Sequence, residues 1–158
     1  MSKRILVVDD HDVVRQGVRL ILRNRPEWQV IAEAEDGFQA IEKTKSLDPD
    51  MVILDISMPG KDGLEVLRDL SKLNIRFKIL VLTMHDSKEL AEEVERLGAS
   101  GCVIKTHAAR QLLRAIQVIF DGGTFFSSED TPSAKPVTEK PEKKTGILCV
   151  GSALFGFA

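Results

Sequence analysis

Four runs of continuously apolar residues punctuate the chain, Ile5-Leu6-Val7-Val8, Met51-Val52-Ile53-Leu54, Ile79-Leu80-Val81-Leu82 and Gly101-Cys102-Val103-Ile104, and a fifth, more mixed run covers Gln29 to Ala34. The four are Leu-rich or β-branched with no polar alternation, the pattern of strands buried on both faces. Between the runs, apolar positions return every three or four residues, which predicts helices. Asp12 reads as the N-cap of a helix with Val14, Val18, Ile21 and Leu22 on its inner face, ending before Pro26. Gly37 to Leu47 is a second helix, with Ala40, Ile41 and Leu47 facing in. Pro59-Gly60 forces a turn before a third, Asp62 to Lys72, whose core face is Leu64, Leu67 and Leu70. Ser87 caps a fourth carrying Leu90, Ala91, Val94 and Leu97, and the last, about Ala108 to Phe120, uses Leu112, Leu113, Ile116, Ile119 and Phe120. Strand and helix alternating five times predict an α/β fold of three layers, a doubly wound parallel sheet with helices on both faces.

Residues with reactive side chains collect where these runs stop. Asp9-Asp10 follows the first strand, Asp55 the third, Thr83 the fourth and Lys105 the fifth. In a parallel sheet those ends share one edge, where open α/β folds place their chemistry. Three carboxylates in one crevice repel, and one of them takes up a proton unless a cation neutralises the cluster. A hard divalent ion that prefers oxygen ligands, Mg²⁺ or Mn²⁺, suits such a site, and Lys105 adds a mobile positive charge that can pair with a phosphoryl oxygen. The edge therefore offers a carboxylate nucleophile, a metal site, a cation and a hydroxyl donor, the parts needed to form an aspartyl phosphate. Singly each has a plainer use: Asp9-Asp10 as a turn and helix cap, Thr83 as an ordinary strand residue, Lys105 as solvation of an edge.

Their joint order is more specific. Val7-Val8-Asp9-Asp10, Asp55-Ile56-Ser57-Met58-Pro59 followed by Gly63, the strand-ending Thr83, and Gly98-Ala99 ahead of Gly101 and Lys105 resemble the receiver domain of bacterial response regulators. His11, Val14, Arg15 and Gly17, with Leu112-Leu113-Arg114-Ala115-Ile116 and Gly122-Gly123, are similar to the branch of that family that normally carries a LuxR-type helix-turn-helix output. The resemblance spans roughly residues 3 to 127. It implies a flavodoxin-like strand order 2-1-3-4-5, in which the first and third strands are neighbours and Asp9, Asp10 and Asp55 meet. It further implies that Asp55 accepts a phosphoryl group from a sensor histidine kinase, with Mg²⁺ held by Asp10, Asp55 and a backbone carbonyl near Ser57, and with Asp9 acting through water. Lys105 and Thr83 would stabilise the added charge. Ser57 and His85, two residues beyond Asp55 and Thr83, stand where side chains of the family flank the water that attacks the aspartyl phosphate, so they are expected to set its lifetime. The implied output is a changed surface around the fourth and fifth helices, or a homodimer. Chemistry is limited to self-phosphorylation and slow autodephosphorylation, so no enzyme acting on other substrates is expected. Two positions depart from the family: Cys102 replaces the aromatic residue that many receivers carry three positions before the lysine, and Thr106 replaces the proline that often follows it. The usual aromatic swing cannot operate in that form. Of the rival readings, an Asp-nucleophile phosphohydrolase wants a second carboxylate where Ser57 stands. A receiver-like interaction module that is never phosphorylated would usually lack Asp55, an acidic residue or Lys105, and all are present.

Composition narrows the field further. The chain of 158 residues is 43% hydrophobic and 29% charged, ordinary for a globular protein, and its net charge of −2 gives no basic footprint for nucleic acid. Met1 to Ile5 leads straight into a strand with no signal-peptide core, which predicts a cytoplasmic location. Cys102 and Cys149 are expected to be free thiols, and His11, His85 and His107 lack the spacing of a zinc site. The expected organisation is a receiver domain over 1–127, a flexible Pro-, Lys- and Glu-rich linker over 128–145, and a short apolar tail over 146–158. That tail has no basic residue, is too short for a helix-turn-helix, and falls short of the ~20 apolar residues that span a bilayer. Neither nucleic-acid binding nor a membrane span is expected of this chain. The pattern fits a truncated or frame-shifted relative of a two-domain transcription regulator.

Overall fold

The computed structural model describes residues 2–58, 62–73 and 76–126. The Pro59-Gly60 turn, the linker over 128–145 and the apolar tail with Cys149 lie outside the described residues. Five parallel strands form one sheet, β1 (Lys3–Val8), β2 (Trp28–Ala34), β3 (Met51–Asp55), β4 (Lys78–Thr83) and β5 (Gly101–Ile104), in the order β2-β1-β3-β4-β5. This is the flavodoxin-like order expected above. Helices α1 (Asp12–Leu22) and α5 (Ala108–Phe120) cover one face, and α2 (Gly37–Leu47), α3 (Gly63–Lys72) and α4 (Lys88–Arg96) the other.

The period-two alternation of a strand explains why the apolar runs are unbroken. Ile5, Val7, Met51, Ile53, Leu80, Leu82 and Val103 point to the face shared with Val18, Leu22, Leu112 and Ile116. Their neighbours Leu6, Val8, Val52, Leu54, Ile79, Val81 and Cys102 point to the opposite face and meet Val66, Leu67, Leu70 and Val94. Each strand thus feeds two cores at once. The edge strand β2 is only half-buried along most of its length, in keeping with its mixed sequence.

Helix starts follow local hydrogen bonding. Asp36 accepts from the Gln39 N–H at 2.8 Å and Ser87 from the Leu90 N–H at 3.1 Å, each filling a donor the helix leaves unpaired. Asp12 differs from its expected role: His11 occupies the N-cap position, and Asp12 is the first residue of α1. The cause lies one turn earlier, where Asp9 Oδ1 accepts the His11 N–H at 2.8 Å and closes the chain, leaving Asp12 to pair with Arg15 and Gln16. In α3 the buried residues are Val66, Leu67 and Leu70, while Leu64 is half-buried. The helix begins at a glycine for a steric reason: a Cβ on Gly63 would lie 2.2 Å from Ile56 Cα, in the segment just after Asp55.

One feature of the described chain has no counterpart in the sequence pattern. Beyond α5 the backbone turns through Gly122, at φ +98°, and brings Phe125 alongside β5. The Cys102 N–H donates to the Phe125 carbonyl at 2.8 Å and the Phe125 N–H to the Ser100 carbonyl at 3.1 Å. Phe125 is buried in the α1/α5 core, and Phe126 packs against the opposite core that holds Cys102. No helix of the described residues is long and apolar enough to cross a membrane.

Candidate functional site

The strand register assembles the site. Val8 pairs with Leu54 and Asp55 with Leu82, so Asp9-Asp10 and Asp55 emerge side by side while Thr83 stands one position farther along β4. Thr83 is in turn level with Ile104, which places Lys105 just beyond it. Asp9, Asp55 and Thr83 are buried, and Lys105 is 10% exposed at its side chain, opening a tight turn over Lys105–His107.

Lys105 bridges the two innermost carboxylates. Its Nζ lies 2.8 Å from Asp9 Oδ2 and 3.3 Å from Asp55 Oδ2 as ion pairs. Asp55 Oδ1 accepts the Ser57 N–H at 3.0 Å, drawing the chain after β3 back over the carboxylate. Thr83 Oγ1 accepts the His85 N–H at 3.0 Å, and among the described residues its own proton has no acceptor. The Ser57 and His85 side chains are both exposed, at the rim of the site. Burial pushes the Asp55 carboxyl above the usual carboxylate range, the Ser57 N–H opposes that shift, Asp9 adds to it and Lys105 opposes it again.

Three buried carboxylate oxygens, Asp9 Oδ2, Asp10 Oδ1 and Asp55 Oδ2, have no directed hydrogen bond among the described residues. Ligand atoms of Asp9, Asp10, His11 and Asp55 lie within 4.8 Å of one another. Three carboxylates faced by one ammonium leave an excess of negative charge that a hard, oxygen-seeking divalent cation fits. His11 was not anticipated here. Its Nδ1 lies 3.1 Å from both Asp9 Oδ1 and Asp10 Oδ1, and the sequence marked it by its adjacency to the acidic pair and its match to the family branch, neither of which assigned it a role.

Arg15 is the second unanticipated member. Its side chain is 8% exposed, and it donates from one terminal nitrogen to the Asp9 carbonyl at 2.5 Å, from Nε to Glu33 at 2.7 Å and from the other nitrogen to Asp12 at 3.1 Å. Glu33, on β2, also pairs with Arg19. The Asp9 N–H donates to the Ala34 carbonyl at 3.0 Å, so both polar groups of that backbone segment are fixed.

The response regulator receiver domain family matches residues 5–117. This chain belongs to that family. The receiver is 38% identical over 128 residues to the transcriptional regulatory protein DegU of Brevibacillus brevis, covering 81% of this chain and 54% of DegU. It is 38% identical over 131 residues to the oxygen regulatory protein NreC of Staphylococcus haemolyticus, covering 82% of this chain and 60% of NreC. The chain therefore spans a little over half the length of these relatives. Among solved structures, the receiver superposes with a TM-score of 0.75 at 35% identity on a LuxR-family two-component response regulator from Aurantimonas sp. SI85-9A1, covering 79% of this chain and 89% of that one. It also superposes, at TM-score 0.75 and 28% identity, on the isolated receiver domain of RcsB from Salmonella enterica serovar Typhimurium determined with the phosphomimetic BeF₃⁻, covering 80% of this chain and 94% of that one. These similarities put the receiver in the branch that contains DegU, NreC and LuxR-family regulators; DegU is named a transcriptional regulatory protein, and the Aurantimonas relative a two-component response regulator.

Proposed function

We propose that this receiver takes a phosphoryl group from a phosphohistidine of a sensor histidine kinase onto Asp55. The observation that supports this reading is a fully buried carboxylate at the end of β3, with one oxygen lacking a directed hydrogen bond and an ammonium 3.3 Å away. In the transfer a carboxylate oxygen of Asp55 attacks phosphorus, the P–N bond breaks, and its electron pair leaves on the imidazole nitrogen. The product is an acyl phosphate on the protein. Asp10, Asp55 and the Ser57 backbone carbonyl are the groups that would hold Mg²⁺, or Mn²⁺, with Asp9 contributing through water. When bound, the ion supplies neutralising charge for the phosphoryl oxygens.

The chain's own residues do the rest. Lys105, already between Asp9 and Asp55, exchanges a carboxylate oxygen for a phosphoryl oxygen, and the Thr83 hydroxyl donates to another. Ser57 and His85 at the rim control the approach of hydrolytic water and so the lifetime of the phosphoryl group. The chemistry ends on the protein itself, and the readout is a changed surface around α4 and α5, or a homodimer, in the cytoplasm.

Intact mass after incubation with a small phosphodonor tests this. One added phosphoryl group is expected with Mg²⁺ and none without it or in Asp55→Asn. Addition that persists in Asp55→Asn would move the acceptor elsewhere, and no addition to the wild type would favour an interaction module that is never phosphorylated. Following the same mass signal over time in a Ser57→Ala, His85→Ala double variant should show altered decay, and an unchanged decay would remove those two residues from the reading.

A further inference from the structure

We infer that Arg15 is a positioning residue for the metal-binding carboxylates, acting through the backbone of Asp9 rather than by touching the bound ion. The inference rests on the proposed Mg²⁺-dependent phosphorylation and adds a residue to it. Asp9 and Asp10 are the two residues that follow β1, and the peptide joining them contributes the Asp9 carbonyl. That carbonyl is buried, and Arg15 donates to it. The same guanidinium is held by Glu33 on β2, so the fork is anchored to the sheet before it reaches Asp9. On the other side the Asp9 N–H is tied to the Ala34 carbonyl of the same strand. The Asp9 backbone is thus clamped from both directions by β2, directly through Ala34 and indirectly through Arg15.

A peptide plane fixed in this way determines where the next side chain starts. Rotation of the Asp9–Asp10 peptide would swing the Asp10 carboxylate away from Asp55, and Asp10 Oδ1 is one of the three buried oxygens without a directed hydrogen bond. Lysine cannot substitute for this arrangement, since a single ammonium on a flexible stem cannot hold Glu33 and the Asp9 carbonyl with the fixed angle of a guanidinium. Partners that orient metal-binding groups typically change metal affinity by about 10- to 100-fold when removed. A residue that only stapled α1 to β2 would lower stability and leave the affinity of the folded protein untouched.

The test is a Mg²⁺ titration of the full chain followed by amide chemical shifts, with Arg15→Met, Arg15→Lys and Glu33→Gln compared to wild type at a temperature where each is folded. We expect both Arg15 variants to bind Mg²⁺ about 10-fold more weakly, whereas Glu33→Gln, which keeps the bond to Asp9, stays within about threefold of wild type while melting at a lower temperature. Should Arg15→Met not fold, Arg15→Lys carries the comparison alone. Wild-type affinity in either folded Arg15 variant would overturn the inference. Equal weakening in Glu33→Gln would also overturn it, because the effect would then follow the staple and not the Asp9 carbonyl. A wild-type protein that does not bind Mg²⁺ at all would instead overturn the receiver chemistry, and the role of Arg15 with it.

Discussion

Asp55 is the residue whose environment works most directly against its charge. A carboxylate with no exposed surface is costly to ionise, and burial is the largest of the influences that raise its pKa. An acid held above its ordinary value of 3.8 makes the folded protein bind its proton more tightly than the unfolded chain does. Stability from this group is therefore full below that value and declines as pH rises through the folded pKa. Asp55→Asn should accordingly raise the melting temperature of the metal-free protein at pH 7, by a few degrees for each ~1 kcal/mol, and the gap should shrink as the pH is lowered toward 4. A calorimetric scan at both pH values checks this. A lower melting temperature at pH 7 would mean that the pairing with Lys105 outweighs burial. Saturating Mg²⁺ should stabilise the wild type more than the variant, since a ligand that binds only the folded state adds to its stability. The sequence made Asp9, Asp10, Asp55, Thr83 and Lys105 legible because each directly follows or ends an apolar run, where the side chain is delivered to the sheet edge by geometry alone. It did not make the roles of Arg15 and His11 legible. Arg15 acts through Glu33, a partner on another strand, and His11 depends on a turn closed by Asp9.

Among the elements, α3 is placed by what its first residue lacks. A Cβ at Gly63 would meet the Ile56 backbone at 2.2 to 2.5 Å on three atoms, none of which can rotate aside. Gly63→Ala must push α3 away from the segment that follows Asp55, and it should cost roughly 3 kcal/mol or more as strain at a close backbone contact. Gly17→Ala is the internal contrast. Nothing lies within 4 Å of its added methyl, and Gly17 sits inside α1, so alanine there should stabilise by about 0.5–1 kcal/mol through helix propensity. Urea denaturation of the two variants should therefore move in opposite directions, and a neutral Gly63→Ala would show that the approach of α3 to Ile56 is loose. Both helix starts and strand limits could be read to within a residue or two from caps and periodicity. The Asp12 cap could not, because Asp9 competes for the same turn, and Val66, with no exposed surface, joins the core face against which the half-buried Leu64 packs.

At the scale of the whole molecule, one sheet divides two cores, and Cys102 lies on the α2–α4 side of that divide. Burial pushes its thiol up to about 12 from an ordinary 9.0, so it stays protonated and unreactive in the folded protein. The unfolded thiol ionises first, which means that stability is lost as pH rises from 9 toward 12. With Cys149→Ser in place, modification of Cys102 by a thiol reagent should proceed only through opening of the sheet, and its rate should fall as the unfolding free energy rises. Modification as fast in the native as in the unfolded protein would show that β5 opens by itself. The strand order and both cores were readable from five repeats of one pattern, whereas the pairing of Phe125 with β5 was not, since so short a contact leaves no periodicity. That pairing bears on where the receiver can be cut. The family match stops at residue 117, inside α5, while the outer margin of β5 is sealed only at Phe125. A chimera joined at the family boundary would leave the Cys102 N–H and the Ser100 carbonyl as open sockets along an apolar strand, a template on which another chain can zip itself. A chimera that keeps Phe125 and Phe126 retains both backbone bonds to this margin and the packing of the two rings on the two cores.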